Sequence, residues 1–244
     1  MVYVMSDIHG DMERFQSVLN QIELQETDTL YVLGDIIDRH DFGIQILQQI
    51  MKMKNVKCIL GNHELMCLNA IIPHREELPW VRNDPDWDLA LWLHGGGENT
   101  IKAMQRISGD EVEEITSYLK ALPVQYDIEV EGKKYKLVHS SPTDLFPADG
   151  SSEYFDAINF AVWNRIEDYS LLPDDYTVVF GHTPTVLFQD QSPLSIWHGP
   201  NAIGIDCGSG FDSIPTPEVP YQGRLACLRL NDMKEFYSDM PDTL

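Results

Sequence analysis

The stretch TLYVLGDIIDR, residues 29–39, decides the fold. Leu30 to Leu33 form a short apolar run of strand length, after which Gly34 turns the chain and Asp35, Asp38 and Arg39 follow at once. In open α/β sheets, ligands bind at the carboxyl ends of the strands, where such a polar cluster would sit. The same grammar recurs on either side. Upstream, MVYVMSDIHG (residues 1–10) places the strand-like Val2 to Met5 directly before Asp7 and His9. Downstream, Val56 to Leu60 lead into Gly61, Asn62, His63 and Glu64. Between these runs, Phe15, Val18, Leu19 and Ile22, and then Ile44, Leu47 and Met51, recur at helical spacing. The pattern is βαβαβ, which implies parallel strands. Asp7 to Asp35 spans 28 residues and Asp35 to Asn62 spans 27, one βα unit per cluster.

Farther along, Pro79-Trp80 and Pro85 to Trp87 break the periodicity before helical spacing resumes from Ile101 to Leu119. Residues 73–122 therefore read as a helical insertion, with Trp80, Trp87 and Trp92 as its packing residues. Val124, Tyr126, Ile128 and Val130 alternate, Glu131-Gly132 turns, and Tyr135 and Leu137 resume, which predicts a hairpin opening a second, more antiparallel sheet. Thr177 to Phe180, Ala202 to Ile205 and Arg224 to Leu230 add short strands.

With 244 residues, 43% of them hydrophobic, the chain can bury one sizeable core, and a single domain over 1–244 is expected. Seventeen Lys and Arg against 39 Asp and Glu give a net charge of −22, which opposes nucleic-acid phosphates. No apolar run approaches about 18 residues, so no membrane partner is expected. Cys58, Cys67, Cys207 and Cys227 are scattered and read as buried free thiols of a cytoplasmic protein.

Taken alone, the polar clusters say little. Asp-x-His is common by chance, Asp38-Arg39 would be an ordinary ion pair, and a lone His139 or His182 after a strand is usually structural. Their order changes the reading. Carboxylate, amide and imidazole donors without thiolate suit Mn, Fe or Zn, and a carboxylate on the central strand can bridge two cations.

The ordered set DIHG, GDIIDR, GNHE, His139 and GHTP (residues 181–184) resembles the calcineurin-like metallophosphoesterase superfamily, in its phosphoprotein phosphatase branch. LWLHGGGENT (91–100) and GIDCGSGF (204–211) add likeness to the bacterial and phage lambda type serine/threonine phosphatases. The resemblance implies a four-layer α-β-β-α sandwich of two mixed sheets, two divalent metal ions (manganese first, iron or zinc otherwise), and a hydroxide bridging them as nucleophile. Asp7, His9 and Asp35 would hold the first metal, and Asp35, Asn62, His139 and His182 the second. His63 would be the general acid, oriented by Asp38. Arg39, Asn62 and Arg165 would bind the substrate phosphate. One departure stands out: His40-Asp41 follow Arg39 where relatives continue with Gly-Pro, so the loop beside the phosphate differs. His40, His74, His94 and His198 fall outside every matched motif and read as surface or structural residues.

The resulting expectation is a serine/threonine protein phosphatase acting on a phosphorylated protein or peptide. The alternative with the same motifs is a hydrolase of dinucleoside polyphosphates or another small phosphoester. A third reading, from a different class, is a metal-binding scaffold without catalysis; an intact His63, Asp38 and Arg39 set argues against it.

Overall fold

The computed structural model describes residues 1–71, 85–149, 152–154, 156–211 and 222–239. Val2–Met5 (β1), Thr29–Val32 (β2) and Val56–Cys58 (β3) pair in parallel through the crossover helices Met12–Ile22 (α1) and Gly43–Lys52 (α2). Asp11 caps α1 by accepting from the Arg14 amide. Behind β3 comes Asn62–Ile71 (α3), then Pro85–His94 (α4), Glu98–Met104 (α5) and Gly109–Lys120 (α6). The single helical run expected over Ile101 to Leu119 is two helices, because Ser108 and Glu111 form a reciprocal capping box that starts a new one. Trp80 and His74 lie outside the described residues.

The hairpin is Gln125–Val130 (β4) with Lys133–Val138 (β5), turned at Glu131 (φ 49°) and Gly132 (φ 77°). Ala157–Trp163 (α7) follows, then Thr177–Phe180 (β6), Trp197–Gly199 (β7), Ala202–Gly204 (β8), Ala226–Arg229 (β9) and Lys234–Tyr237 (β10). Two five-stranded mixed sheets result, in the orders β10-β9-β1-β2-β3 and β4-β5-β6-β8-β7. The second sheet is less antiparallel than its hairpin suggested, since β5, β6 and β8 run parallel.

Strand alternation explains the layering. Tyr3, Met5, Leu30 and Val32 face α1 and α2 with Phe15, Val18, Ile44 and Leu47, while Val4, Tyr31 and Leu33 face Leu137, Val179 and Ile203 of the other sheet. Val138, Val178 and Phe180 point away from that interface and are covered by Tyr169 and Leu172. Ile115 and Leu119 of α6 belong to the first core, so the second half of the 73–122 segment is integral to it. The four cysteines are buried and free. Among the described residues no helix is long and apolar enough to cross a membrane.

Candidate active site

The chain leaves β1, β2 and β6 in conformations that side chains other than glycine rarely adopt. Asp7, His9, Asp35, Asp38, Arg39 and His182 all have φ between 50° and 73°, six of the eleven non-glycine residues with positive φ among those described. Each such residue carries strain of about 1–3 kcal/mol that the surroundings must hold in place. The holding is visible. The amides of Asp7, His9 and Gly10 donate to the carbonyls of Gly34, Asp35 and Ile36, tying the first loop to the second. The fully buried Glu64 carboxylate accepts from the amides of Asp35, Ile36, Ile37 and Gly61 at 2.8–3.3 Å. Gly61 is required there, because a methyl group would strike Asp35 and Glu64. Gly181 is needed for the same reason against Ser6 and Asp7.

These loops bring Asp7, His9, Asp35, Asn62, His63, His139 and His182 together, all of them at most 9% exposed. His9 Nδ1 lies 3.2 Å from the Ile37 carbonyl and His139 Nδ1 2.6 Å from the Leu33 carbonyl; a carbonyl can only accept, so both Nδ1 atoms carry the proton. Their Nε2 lone pairs then turn inward, 3.6 and 3.4 Å from oxygens of Asp35. His9 Nε2 also lies 3.9 Å from Asp7. These separations exceed a hydrogen bond and suit a shared cation, and the outward N–H to a carbonyl is the support that metal-bound imidazoles commonly have.

Two further features fit cations. As the amide is oriented, Asn62 Oδ1 faces His139 Nε2 at 2.8 Å, a contact between two acceptors while His139 is neutral. His182 Nδ1 meets the same oxygen at 2.9 Å, while its buried Nε2 finds no partner of hydrogen-bond geometry among the described residues. Electrostatics agree. Burial, then the neighbouring Asp35 charge, pushes the Asp7 carboxyl up to about 6. Asp35 is also raised, chiefly by burial, while burial holds His9, His139 and His182 below the usual imidazole range. Neutral imidazoles beside under-compensated carboxylates form a donor set that lacks positive charge. His9, Asp35 and His63 form one compact group and Asp35, His139 and His182 another, each with ligand atoms within 4.8 Å of one another, so Asp35 is common to both.

His63 differs from the other imidazoles in its support. Its Nδ1 faces Asp38 Oδ2 at 2.8 Å, and Asp38 is fully buried. Asp38 is itself held by Trp92 Nε1–H at 2.9 and 3.1 Å and by the Thr100 hydroxyl at 2.6 Å. The Thr100 oxygen in turn accepts from the Asp38 amide, and the Gly96 carbonyl accepts from the Arg39 amide. Thus LWLHGGGENT is a clamp on Asp38 and Arg39, and Trp92, 1% exposed, packs the insertion and also donates into the site. The Arg39 side chain is exposed, with one guanidinium nitrogen 3.5 Å from His63 Nε2.

Arg165 lies at the surface just after α7, close enough for its charge to bear on His182. The Ser140 and Ser141 hydroxyls donate to the Asn164 carbonyl and so position this turn against the loop that follows His139. His40, the departure after Arg39, has its amide on the His9 carbonyl and its Nε2 3.2 Å from the Ser209 carbonyl, tying this loop to both segments. His94 is exposed, and His198 pairs with Glu235 away from the centre. Sequence reasoning assigned no role to Glu64, Thr100 or Asp206. Asp206 is buried and its carboxyl is pushed up to about 7, first by burial and then by Asp7. Glu64 ends the GNHE motif, and only its four backbone partners reveal what it does.

Comparison with known proteins agrees with this architecture. Residues 1–207 match the calcineurin-like phosphoesterase family. Among curated relatives, a symmetrical bis(5'-nucleosyl)-tetraphosphatase of Erwinia tasmaniensis is 27% identical over 164 residues, 64% of this chain and 51% of that protein. One of the same name from Acidovorax ebreus is 32% identical over 116 residues, 39% of this chain and 40% of that protein. The matches thus span about half or less of those relatives. A solved protein provisionally assigned as a diadenosine tetraphosphatase superposes with a TM-score of 0.62 at 19% identity, covering 99% of this chain and 94% of that one. A serine/threonine phosphatase from Saccharomyces cerevisiae gives 0.54 at 13% identity, over 100% of this chain and 81% of that one. At such identities the structural likeness speaks for fold alone, but the family match covers most of the chain together with every clustered side chain above: this protein belongs to the calcineurin-like phosphoesterase family.

Proposed function

We propose that this chain is a metal-dependent hydrolase of dinucleoside polyphosphates, cleaving a phosphoanhydride to release nucleotides. The observation that carries the substrate class is the recurrence of symmetrical bis(5'-nucleosyl)-tetraphosphatases among its curated relatives. This ranks the anhydride above the phosphoprotein, the first expectation from motifs shared by both groups.

In this reading Asp7, His9 and Asp35 would hold one divalent cation and Asp35, Asn62, His139 and His182 the other. Two such cations, when bound, would supply the positive charge that neutralises phosphoryl oxygens and makes water a better nucleophile. The chain's own residues do the rest. Arg39, beside His63, and Arg165, near His182, would grip phosphate oxygens and orient the scissile phosphorus. Protonated His63 donates Nδ1–H to Asp38 and keeps Nε2–H for the leaving oxygen, so that as the P–O bond breaks the proton passes from Nε2 to the departing group. Trp92 and Thr100 hold Asp38, and through it the imidazole plane. Burial keeps bulk water from competing for these hydrogen bonds.

The test is a side-by-side assay of the manganese-loaded chain on diadenosine tetraphosphate and on a phosphoserine peptide. The expected result is a higher kcat/KM for the dinucleotide with two molecules of ADP per turnover. A preference for the phosphopeptide would overturn the proposal.

A further inference from the structure

We propose that the cavity between α3, α4 and α7 is a nucleobase subsite, taking one base and its sugar while the phosphates lie across the active site. This rests on the dinucleoside polyphosphate reading and names where the uncharged end of such a substrate binds.

The cavity measures about 280 Å3, near the lower end of the roughly 300–1,000 Å3 common for ligand pockets, so it suits one end of a dinucleotide. It begins at the active site. Met66 and Asn69 lie one and two turns beyond Asn62 on the same face of α3, about 6 and 10 Å along the helix. Met66 and His63 approach the same backbone, since a methyl group on Gly95 would meet Met66 Cε at 2.9 Å and His63 Cε1 at 3.4 Å. On the opposite wall the Trp163 ring stands edge-on to His182, 6.0 Å away at 90°. The cavity thus shares one wall with the candidate acid and the other with a candidate metal ligand.

Its lining matches the chemistry of a base. Trp87, Tyr154 and Trp163 present three aromatic rings, the surface on which bases of any sequence stack. Trp87 is 54% exposed, whereas Trp92 on the same helix is 1% exposed, so part of the Trp87 ring is open to solvent. Asn69 Oδ1 is buried and has no hydrogen-bond partner among the described residues, an acceptor that a ligand N–H would satisfy. The exocyclic amine of adenine is such a donor. Asp88, 3% exposed, and Glu153 complete the lining on the α4 and α7 sides. Arg165 sits between the two regions, its charge acting on both His182 and Tyr154.

The experiment uses the full, manganese-loaded chain and two substitutions outside the catalytic set, Trp87→Ala at a half-exposed ring and Asn69→Leu as an independent second. Each variant is expected to lower kcat/KM on diadenosine tetraphosphate by about tenfold or more, chiefly through KM, with p-nitrophenyl phosphate unchanged within about twofold. Calorimetry on wild type should show ADP binding at least about tenfold more tightly than pyrophosphate, an advantage both variants lose. Equal loss on both substrates, or no loss on either, overturns the subsite. If wild type fails to cleave the dinucleotide, the proposed function falls, and the calorimetry still decides the subsite. ADP no tighter than pyrophosphate then removes it, and a retained, variant-sensitive advantage upholds it. Loss of phosphopeptide turnover alone in the variants would assign the cavity to a peptide side chain and also overturn it.

Discussion

From residue 35 to residue 40 every backbone amide has a partner: three on Glu64, one on Thr100, one on the Gly96 carbonyl and one on the His9 carbonyl. The Arg165 turn is held differently. Two serine hydroxyls take the Asn164 carbonyl, and the arginine beyond it is exposed. The contrast separates two tasks. A proton donor must be fixed in distance and angle, because transfer tolerates little error, whereas a surface cation that neutralises a mobile phosphate works over a range of positions. The molecule spends its buried hydrogen bonds on the first task.

The largest expected effect tests the rigid side directly. His63→Ala should reduce kcat on a phosphoserine-type alkyl phosphate by ~10²–10⁴-fold, since an alkoxide needs a proton as it leaves. On p-nitrophenyl phosphate and on the anhydride, whose leaving groups are weaker bases, the loss should be smaller. Equal losses in the chemical step would remove His63 from the role of acid.

Glu64→Ala comes next. It strips a carboxylate from four backbone amides, and a destabilisation of about 3 kcal/mol or more is expected in urea melts, together with lower manganese content after dialysis. Unchanged stability would mean that the loop holds its strained φ values without this support. A smaller effect is expected from Trp92→Phe, which keeps a ring but deletes the N–H to Asp38: roughly 10- to 100-fold in kcat with KM little changed. Were KM to move instead, the tryptophan would be shaping the binding surface and not the imidazole. Smallest of all, Arg165→Ala should raise KM by about threefold and leave the unfolding free energy within ~0.5 kcal/mol, as for an exposed residue. A large fall in kcat there would show that the exposed arginine needs the same fixed geometry as the buried proton donor, and the division of tasks would fail.

The same contrast separates what was legible in the chain from what was not. β1, β2 and β3 and their polar ends could be read because period and turn chemistry are local, and the hairpin at Glu131-Gly132 announced itself for the same reason. The break between α5 and α6 was also local, written in Ser108 and Glu111, though the apolar spacing on either side obscured it. Glu64 could not be read so. Nothing in one acidic residue after His63 says that it faces the amides of residues 35–37 rather than solvent. Trp92 looked like a packing residue, which it is; its second task depends on meeting Asp38, 54 residues away. Trp87, expected to pack as well, keeps half its surface exposed and lines a cavity.

By itself the amino-acid order determined the elements, the strand ends at which chemistry gathers and the residue types available there, because backbone preference and hydrophobic period act over a few neighbours. Only the packed structure decided that Glu64 would brace the strained loop, and that Trp92 and Thr100, on two helices from the middle of the chain, would clamp Asp38. Those outcomes depend on which buried donors and acceptors meet once water is expelled, and no local rule of sequence specifies such meetings.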